Sequence, residues 1–410
     1  MRKDRKILHF DGDSFFASVE QVLDYRLRGK PLVTGGERGA ITSASIEAKR
    51  LGVGRGISLR DAKMLCPELV VVPGNYLAYS IFAERMYSIV REFTDEVEEY
   101  SIDECFADIT GLDKVYKKSY EDIGLMIKEK LERSLGVTFG VGLGSSKVLA
   151  KVASKHRKPG GFTSILDNDA QLALLKALPI GKVWGIGPSS ARGFERQGIR
   201  TAKDLIDRPK AWIEANLDKS HRGIWLELKG YYLHELNMDY EAPLSVIKSR
   251  TFRPPTTNRE FMLAQLSRNL EAACAKVRRH KLKSKEVRFY IKTQEFKYYG
   301  MDMVLPLPTS SPSEIMKLIV KNFDCVYRPR TLYRTTGITL KKLVGNISTP
   351  DLFGESAGVD RQAGVFQAVD KITRRYGENM IHLASSHPGI NKTARNIGKS
   401  MDLPLLGTVR

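Results

Sequence analysis

The chain is poor in cysteine and has no long apolar run, and these absences exclude several classes of protein. Its four cysteines lie far apart and form no CxxC pair, so we expect free thiols in a reducing cytoplasm instead of a disulfide framework. No segment approaches the roughly 20 apolar residues of a membrane span. Residues 1–6 are basic but lead into a short strand, which differs from a signal peptide. The seven histidines lack HExxH or similar ligand spacing, which argues against zinc.

Positive charge is abundant, and it is concentrated in one region. The length of 410 residues predicts two to four domains, and a hydrophobic content of 42% fits a folded protein instead of a disordered one. The formal net charge is +19. Residues 246–345 contain 21 lysines and arginines against 7 aspartates and glutamates, so +14 of the excess lies in about a quarter of the chain. A basic surface that serves only solubility is usually spread more evenly. The concentration therefore indicates a polyanionic partner, most simply nucleic acid.

Two neighbouring acids, Asp103 and Glu104, interrupt an apolar, strand-like stretch over 100–110. Adjacent carboxylates repel each other and resist burial, and a divalent cation such as Mg²⁺ would offset both effects. A solvated turn between two elements is the competing interpretation, and this short motif alone does not decide between them.

A third acid, Asp11, ends the apolar strand predicted over 7–10. It precedes a helix start for which Ser14 is the expected cap, and such a position suits a metal or a phosphate. Three carboxylates from separate segments can hold two Mg²⁺ ions for in-line phosphoryl transfer. Asp11 is therefore a candidate partner for Asp103 and Glu104.

Glycine marks two further segments. In 138–144 every second residue from Gly140 is glycine, which would let another backbone or a ligand come close. Gly185 and Gly187 form a tight Gly-x-Gly turn between two predicted helices, where main-chain N–H groups can bind a phosphate. An ordinary connection between helices has the same pattern. Lys158 could also contact a phosphate, although a solvated lysine is the commoner case.

The basic region 246–345 predicts the order β-α-β-β-α-β. Its strands alternate, so that one face is apolar and the other is polar or cationic. The apolar positions are Val287, Phe289, Ile291, Ile338 and Leu340, and the others are Arg288, Tyr290, Lys292, Thr339 and Lys341. A sheet with one cationic face suits the backbone of a duplex. A helix is predicted near 360–376, and the extreme C-terminus is expected to be flexible.

Three motifs in this order resemble the Y-family translesion DNA polymerases: Asp11-Gly12-Asp13-Ser14-Phe15-Phe16, Ser101-Ile102-Asp103-Glu104 and Gly185-Ile186-Gly187. The resemblance covers roughly residues 5–345. It implies an α+β multidomain fold, shaped as a right hand, with a β-α-β-β-α-β little finger. The implied domains are a palm (1–25 and 78–165), small fingers (26–77), a helical thumb with a helix-hairpin-helix (166–233), a linker (234–245), a little finger (246–345) and a C-terminal tail (346–410).

The resemblance also implies a low-fidelity, template-directed polymerase that uses dNTPs, primer-template DNA and two Mg²⁺ ions per active site. Asp11 and Asp103 would bind both ions, Glu104 would lie on the primer side, and the carbonyl of Gly12 would be a further ligand. Phe16 would be the steric gate that excludes a 2′-hydroxyl. The implied nucleotide contacts are Phe15, Phe16, Thr42, Lys49 and Lys158, beneath a small roof of Ala40, Thr42 and Gly56. The implied DNA contacts are Gly185, Gly187, Arg288, Lys292 and Lys341.

Two features depart from the family pattern. Many members carry Tyr-x-x-Arg in the fingers, where this chain has Ile46 and Lys49. Lysine keeps the charge but loses the bidentate fork, so triphosphate binding is expected to be weaker or to use another group. The tail peptide 349–353 is similar to the family's sliding-clamp peptide but lacks the leading glutamine. Its expected clamp contacts are Asp351, Leu352 and Phe353.

Three alternatives remain open at this level. The chain resembles both the DNA polymerase IV type, which acts alone, and the UmuC type, which acts with accessory partners. A non-catalytic DNA-binding relative would not need all three carboxylates. A nucleotidyl cyclase with a similar palm would not need the Gly-x-Gly turn or the basic region. A polymerase that works as a monomer in the cytoplasm is the preferred hypothesis.

Overall fold

The computed structural model describes residues 5–35, 41–238, 242–345, 355–376 and 380–389. The chain divides into two compact units, Met1–Tyr240 and Glu241–Arg410, and the division falls inside the predicted linker. The predicted roof residue Ala40, the clamp residues Asp351, Leu352 and Phe353, and the extreme C-terminus lie outside the described residues. Within the described ranges, no helix is both long and apolar enough to cross a bilayer.

The first unit contains two small sheets and a group of helices. In chain order its elements are β1 (Ile7–Gly12), α1 (Phe15–Leu23), β2 (Leu32–Gly35), β3 (Ile41–Ala44), α2 (Ile46–Arg50), α3 (Leu59–Leu65), β4 (Val70–Val72), α4 (Tyr76–Arg91), β5 (Val97–Ser101), β6 (Glu104–Asp108), α5 (Leu112–Tyr116), α6 (Tyr120–Leu135), β7 (Phe139–Gly144), α7 (Lys147–His156), β8 (Phe162–Ser164), α8 (Asn168–Ala177), α9 (Pro188–Arg196), α10 (Ala202–Ile206), α11 (Lys210–Asn216) and α12 (Lys219–Leu228).

The five-stranded sheet of the first unit has the strand order β5-β6-β1-β7-β8, with β1 at its centre. It lies within the predicted palm and is named the palm sheet. Strand β1 is buried along its whole length because helices cover both faces of the sheet. Leu8 and Phe10 point to one face and join a core with α1, α4 and α6. The alternate residues of β1, including His9 and Asp11, point to the other face, which α7 covers.

The glycines of β7 determine how closely α7 approaches the palm sheet. A Cβ atom on Gly142 would lie 2.1 Å from the carbonyl oxygen of Ala150, and one on Gly140 would lie 2.5 Å from that of Ser154. Any other residue at these positions would push the helix away. The predicted close approach to this strand is therefore correct, and the partner is the main chain of α7.

The predicted fingers contain the sheet β3-β2-β4, in which β2 pairs antiparallel with β3 and parallel with β4. Its apolar side packs against α2 and α3 in a small core that includes Val33, Ala48 and Ala62. Ser43 Oγ donates a hydrogen bond to the carbonyl of Ser14, 3.2 Å away, and this contact joins the fingers to the start of α1.

The predicted thumb has a helical core that continues into the predicted palm. Its buried cluster runs from Val148 on α7 to Leu228 on α12, so α7 serves both regions. The chain after α12 also stays close to the palm, because Leu236 packs with Ile7 and Phe106. The first residues of the predicted linker are therefore packed against the first unit.

The second unit has the predicted order β-α-β-β-α-β, followed by one further helix. Its sheet has the strand order β11-β10-β12-β9, and α13 and α14 pack on the apolar face formed by residues such as Val287, Phe289 and Ile338. The elements are β9 (Ser245–Thr256), α13 (Arg259–Arg279), β10 (Leu282–Thr293), β11 (Tyr298–Thr309), α14 (Pro312–Asn322), β12 (Tyr333–Gly345) and α15 (Glu355–Tyr376).

The tail packs on α13. Arg278 pairs with Asp370 of α15, with Nε 2.7 Å from the carboxylate, and both side chains are largely buried. Further along, the carbonyl of Gly389 accepts hydrogen bonds from Gln265 and Arg268 at 3.0 and 2.6 Å. The described part of the tail therefore belongs to the fold of the second unit.

Candidate active site

The acid pair lies at a tight hairpin next to the end of the central strand. Ser101 pairs with Glu104, which leaves Ile102 and Asp103 as the two turn residues between β5 and β6. Glu104 is the register partner of Asp11, and the carbonyl of Asp103 accepts a hydrogen bond from Gly12 N at 2.9 Å. The turn that the competing interpretation expected is therefore present, and it brings the acid pair next to Asp11.

Asp103 carries a negative charge that is only weakly compensated. Burial raises the pKa of its carboxyl group, and the nearby charges of Glu104 and Asp11 raise it further, against a hydrogen bond from Ser101. That bond, from Ser101 Oγ, is 2.7 Å long. Among the ion pairs of the described residues, none includes Asp103. A cation at this position would therefore be strongly favoured.

Asp11 is held by Lys158, as is its neighbour Asp13. The Lys158 ammonium lies 2.6 Å from Asp11 Oδ1 and 3.3 Å from Asp13 Oδ1. Asp13 also accepts hydrogen bonds from Gly160 N at 2.7 Å and from Thr138 Oγ1 at 3.0 Å. Asp13, for which no sequence pattern predicted a separate role, therefore fixes the loop that carries Lys158.

Lys151 of α7, for which the sequence predicted no role, contacts Glu104. The two side chains form an ion pair, and Lys151 is only 4% exposed. His9 Nε2 lies 3.5 Å from the same carboxylate, too far for a strong hydrogen bond, and burial lowers the pKa of this histidine, which favours its neutral form. Although burial alone would raise the pKa of Glu104, these neighbours lower it. The available signal was two lysines, Lys147 and Lys151, four residues apart among the apolar residues that begin α7.

The three carboxylates fit a divalent cation by their chemistry. They are hard oxygen donors, as Mg²⁺ requires, and Asp103 lacks a cationic partner in the described part of the chain. Lysines hold the other two acids, and in the described ranges no three His, Cys, Asp or Glu side chains are arranged at ligand distances around one point. Ion binding would therefore require Lys158 and Lys151 to yield part of their contacts.

The predicted gate, Phe16, rests on tyrosines of α4. Its ring stacks on Tyr79 with a centroid distance of 4.3 Å and an interplanar angle of 10°. Tyr76 contacts the same ring edge-on at 5.5 Å. Tyr79 is fully buried, and its hydroxyl donates to Glu20 at 2.5 Å, which fixes the ring beneath Phe16. The signal for this support was a pair of aromatic residues three apart at the start of a helix.

Ser14 and Phe15, next to the predicted gate, differ from their predicted roles as a helix cap and a nucleotide contact. Ser14 does not cap α1, because its backbone is left-handed with φ of 49° and its buried hydroxyl has no hydrogen-bond partner in the described structure. Phe15 is 3% exposed and packs in the palm core. A nucleotide contact by Phe15 is therefore limited to its main chain, because the sharp turn between β1 and α1 directs its ring inward.

In the predicted fingers, Lys49 lies close enough to Asp11 and Asp13 for their charges to affect its pKa. Its pKa is lowered by loss of solvent and then by the charge of Lys158, while Asp13 and Asp11 act in the opposite direction. Thr42 is already engaged, since its hydroxyl donates to the carbonyl of Thr34 at 3.0 Å. The two lysines therefore converge on the region beside Asp11.

The predicted DNA contacts lie on exposed main chain and on one sheet face. Gly185 has φ of 89°, and a Cβ there would lie 2.6 Å from Ile224 Cδ1, so glycine is required at this turn. Gly187, at the N-terminus of α9, is exposed.

The polar face of the second sheet is less cationic than expected. Arg288 and Lys341 both approach Asp302, at 3.5 and 2.5 Å. Lys292 lies 4.6 Å from the rings of Phe296 and Tyr298. Asp302 comes from β11, for which no alternation was predicted.

Comparisons with known proteins agree with this arrangement. A sequence model of the impB/mucB/samB family matches residues 10–155, and one of that family's C-terminal domain matches 243–351. A DNA polymerase IV of Moorella thermoacetica is 32% identical over 405 residues, which cover 94% of this chain and 97% of that protein. One of Desulfatibacillum aliphaticivorans is 29% identical over 383 residues, covering 92% and 96%.

The fold has a solved counterpart. A Y-family DNA polymerase chimera superposes with a TM-score of 0.68 at 22% sequence identity, covering 83% of this chain and 100% of that chain. The predicted α+β multidomain fold is confirmed by this similarity. The chain therefore belongs to the impB/mucB/samB family of Y-family translesion DNA polymerases and is a DNA-directed DNA polymerase.

Proposed function

We propose that this polymerase adds dNMP units to a primer 3′-hydroxyl with two Mg²⁺ ions, which Asp11, Asp103, Glu104 and the Gly12 carbonyl would hold. The observation that carries the proposal is the site of Asp103, a largely buried carboxylate beside two others without a cationic partner among the described residues. When bound, the ions would activate the attacking oxygen and neutralise charge on the phosphates.

The lysines of the site support binding of a triphosphate. Lys158 contacts both Asp11 and Asp13 and keeps about a quarter of its side chain exposed, so it can exchange a carboxylate for a phosphate oxygen. Lys49 lies near enough for the two ammonium charges to interact. Together, Lys158 and Lys49 would supply the positive charge that Tyr-x-x-Arg supplies in other family members. The KM for the nucleotide measures their contribution to triphosphate binding.

Low fidelity follows from the small side chains of the fingers. Thr42 is short, and a Cβ on Gly56 would meet no atom within 4 Å. Such a roof would exert little pressure on the shape of the nascent base pair and would leave room for a damaged template base. DNA would be held by phosphate contacts at the main chain of Gly185 and Gly187 and by the polar face of the little finger, with Arg288, Lys292 and Lys341 as its proposed cationic contacts.

The proposed function is tested by primer extension with the purified chain alone. We expect Mg²⁺-dependent extension on undamaged templates and on templates with one lesion, without accessory proteins. Extension only after addition of accessory proteins would place the chain with the UmuC type. Absence of extension under every condition, with DNA binding retained, would identify a non-catalytic relative.

We also propose that Asp351, Leu352 and Phe353 bind a sliding clamp. The peptide lies between β12 and α15, both of which belong to the fold of the second unit. Truncation after Gly345 would remove α15 and uncover α13, because Arg278 would lose Asp370. Point substitutions are therefore the better test.

The double substitution Leu352→Ala/Phe353→Ala is expected to remove stimulation by a bacterial sliding clamp and to leave basal extension unchanged. Two apolar anchors of this size each contribute roughly 1.5–3 kcal/mol when buried, so clamp affinity should fall at least about tenfold. The measurement is extension rate against clamp concentration. Leu244→Ala, at a leucine that is 91% exposed, is the matched control. Undiminished clamp stimulation in the double variant would show that the contact lies elsewhere.

A further inference from the structure

Helix α7 sends two lysines across to the palm sheet, one helical turn apart. Lys147 lies 2.5 Å from Glu98 on β5, and Lys151 pairs with Glu104 on β6. Both lysines are nearly inaccessible to solvent, with exposures of 5% and 4%. Of these two lysines, only Lys151 pairs with a carboxylate of the proposed metal site. The Lys147–Glu98 pair is buried to a similar degree but involves an acid outside that site.

Lys151 is also enclosed by two aromatic rings. Its ammonium lies 4.2 Å from the ring centroid of Tyr100 and 5.1 Å from that of Trp184. These rings meet edge to face, at 5.5 Å and 88°. Cation–π attraction from two faces holds an ammonium in place even when its carboxylate partner is shared with another cation. Lys151 therefore has a fixed position that does not depend on Glu104 alone.

Trp184 connects this arrangement to the thumb. It directly precedes Gly185, the left-handed residue of the Gly-x-Gly turn, and Ile224 packs where a side chain on Gly185 would be. Trp184 also lies 5.9 Å from Phe106, which neighbours Glu104 on β6. A movement of the turn would therefore be transmitted to Lys151 through one packed indole ring.

We propose that Lys151 is a positioning residue for Glu104, and that Tyr100 and Trp184 hold it so that the Gly185–Gly187 turn and the primer-side carboxylate are coupled. The ion pair with Lys151 holds the Glu104 carboxylate in place next to Asp11 in the sheet before an ion binds. After binding, the rings retain the ammonium. Lys151 is too buried to bind DNA or nucleotide itself. This inference rests on the proposed role of Glu104.

Steady-state kinetics with Lys151→Met test the positioning role. We expect kcat to fall about 10- to 100-fold, the usual effect of losing a residue that orients a metal ligand, with the KM for dNTP and the Kd for DNA nearly unchanged. Lys151→Arg keeps the charge and the ring contacts and should restore part of kcat. A rise in KM or Kd with unchanged kcat would instead show direct substrate contact and would overturn the proposal.

Lys147→Met is the matched control, because it breaks the neighbouring buried ion pair without contact with Glu104. It should lower the melting temperature about as much as Lys151→Met and leave kcat unchanged. An equal loss of kcat in both variants would mean that general disorder of the palm explains the effect. Glu104→Gln distinguishes the metal role of Glu104 from the positioning role of Lys151. Full activity of Glu104→Gln would refute the metal role. If Glu104→Gln were inactive and Lys151→Met remained fully active, only the positioning role would be refuted.

The coupling has a spectroscopic readout. With Trp212 and Trp225 replaced by phenylalanine, fluorescence reports Trp184 alone. In the presence of a chelator that removes Mg²⁺, binding of primer-template DNA should change this emission. Lys151→Met should change the emission of the DNA-free protein, because it removes the ammonium next to Trp184. A Trp184→Leu substitution should lower kcat, and combined with Lys151→Met it should add little further loss. The coupling would be refuted if DNA left the Trp184 emission unchanged. It would also be refuted if the kcat losses of the two single substitutions multiplied in the double variant.

Discussion

Replacement of Asp103 by alanine is expected to abolish primer extension while leaving DNA binding nearly intact. Asp103 lies in the hairpin turn beside Asp11 and Glu104, and its charge has no cationic partner among the described residues. The charge stabilisation that a bound metal gives to phosphoryl transfer is worth several kcal/mol, so the rate should fall by on the order of 10³-fold or more. Single-turnover extension and a DNA binding isotherm on the same preparation measure the two properties.

Glu99→Gln is the matched control for this substitution. Glu99 lies on the same hairpin but is half exposed and pairs with Arg91 at 2.8 Å, away from the other acids. It should retain full activity. Substantial extension by Asp103→Ala, at any Mg²⁺ concentration, would contradict the metal assignment.

The isosteric variant Asp103→Asn extends the same prediction to stability. Burial raises the pKa of Asp103 in the folded state above its unfolded value. The charged form therefore opposes folding: stability is retained at low pH and is lost as the pH rises through the folded-state pKa. At neutral pH in a chelator, Asp103→Asn should melt at a higher temperature than the unchanged protein. Added Mg²⁺ should narrow or reverse that difference.

Sequence periodicity was sufficient to predict whether a residue is buried or exposed where this depends on its immediate neighbours in the chain. The alternation of Val287, Phe289 and Ile291 with Arg288 and Lys292 predicted both faces of the second sheet. The three candidate acids could also be selected from the sequence, since each follows or interrupts an apolar run. Their proximity required the antiparallel pairing of β1 with β6, which brings residues about ninety positions apart into register.

Long-range contacts explain most of what the sequence did not reveal. Glycines in β7 predicted that some group would come close, but nothing local identified it as α7. The pairing of Lys151 with Glu104 follows from that approach, and so does the contact of Lys151 with Trp184. Each of these partners lies 33 or more residues away from Lys151 along the chain, where spacing rules have no force.

Local rules failed at Ser14 for a different reason. A serine before an apolar helix normally caps it, but the chain must turn sharply between Gly12 and α1 so that Asp13 can hold the Lys158 loop. The left-handed conformation of Ser14 permits that turn at the expense of the cap. Strain at this point of the chain lies beside the proposed catalytic acids, as expected where function opposes local preference.

The gate role proposed for Phe16 depends on how firmly its ring is held. Phe16 is stacked on Tyr79, which is itself fixed by the hydrogen bond of its hydroxyl to Glu20. A ring supported in this way cannot retreat from a 2′-hydroxyl without moving a buried side chain. Exclusion of ribonucleotides should therefore depend on Phe16 as the contacting surface and on Tyr79 as its support.

Phe16→Ala is accordingly expected to admit ribonucleotides. Removal of the ring opens space beneath the sugar, and selection between dNTP and rNTP, measured as the ratio of their kcat/KM values, should fall by about 10- to 200-fold, the range over which steric pockets discriminate. Incorporation of dNTP should change less. Phe93→Ala removes a partly buried phenylalanine of the palm that packs against Tyr116, and it should leave sugar selection unchanged. If Phe16→Ala kept the original ratio, the ring would not be the gate, and the stacking on Tyr79 would be only core packing.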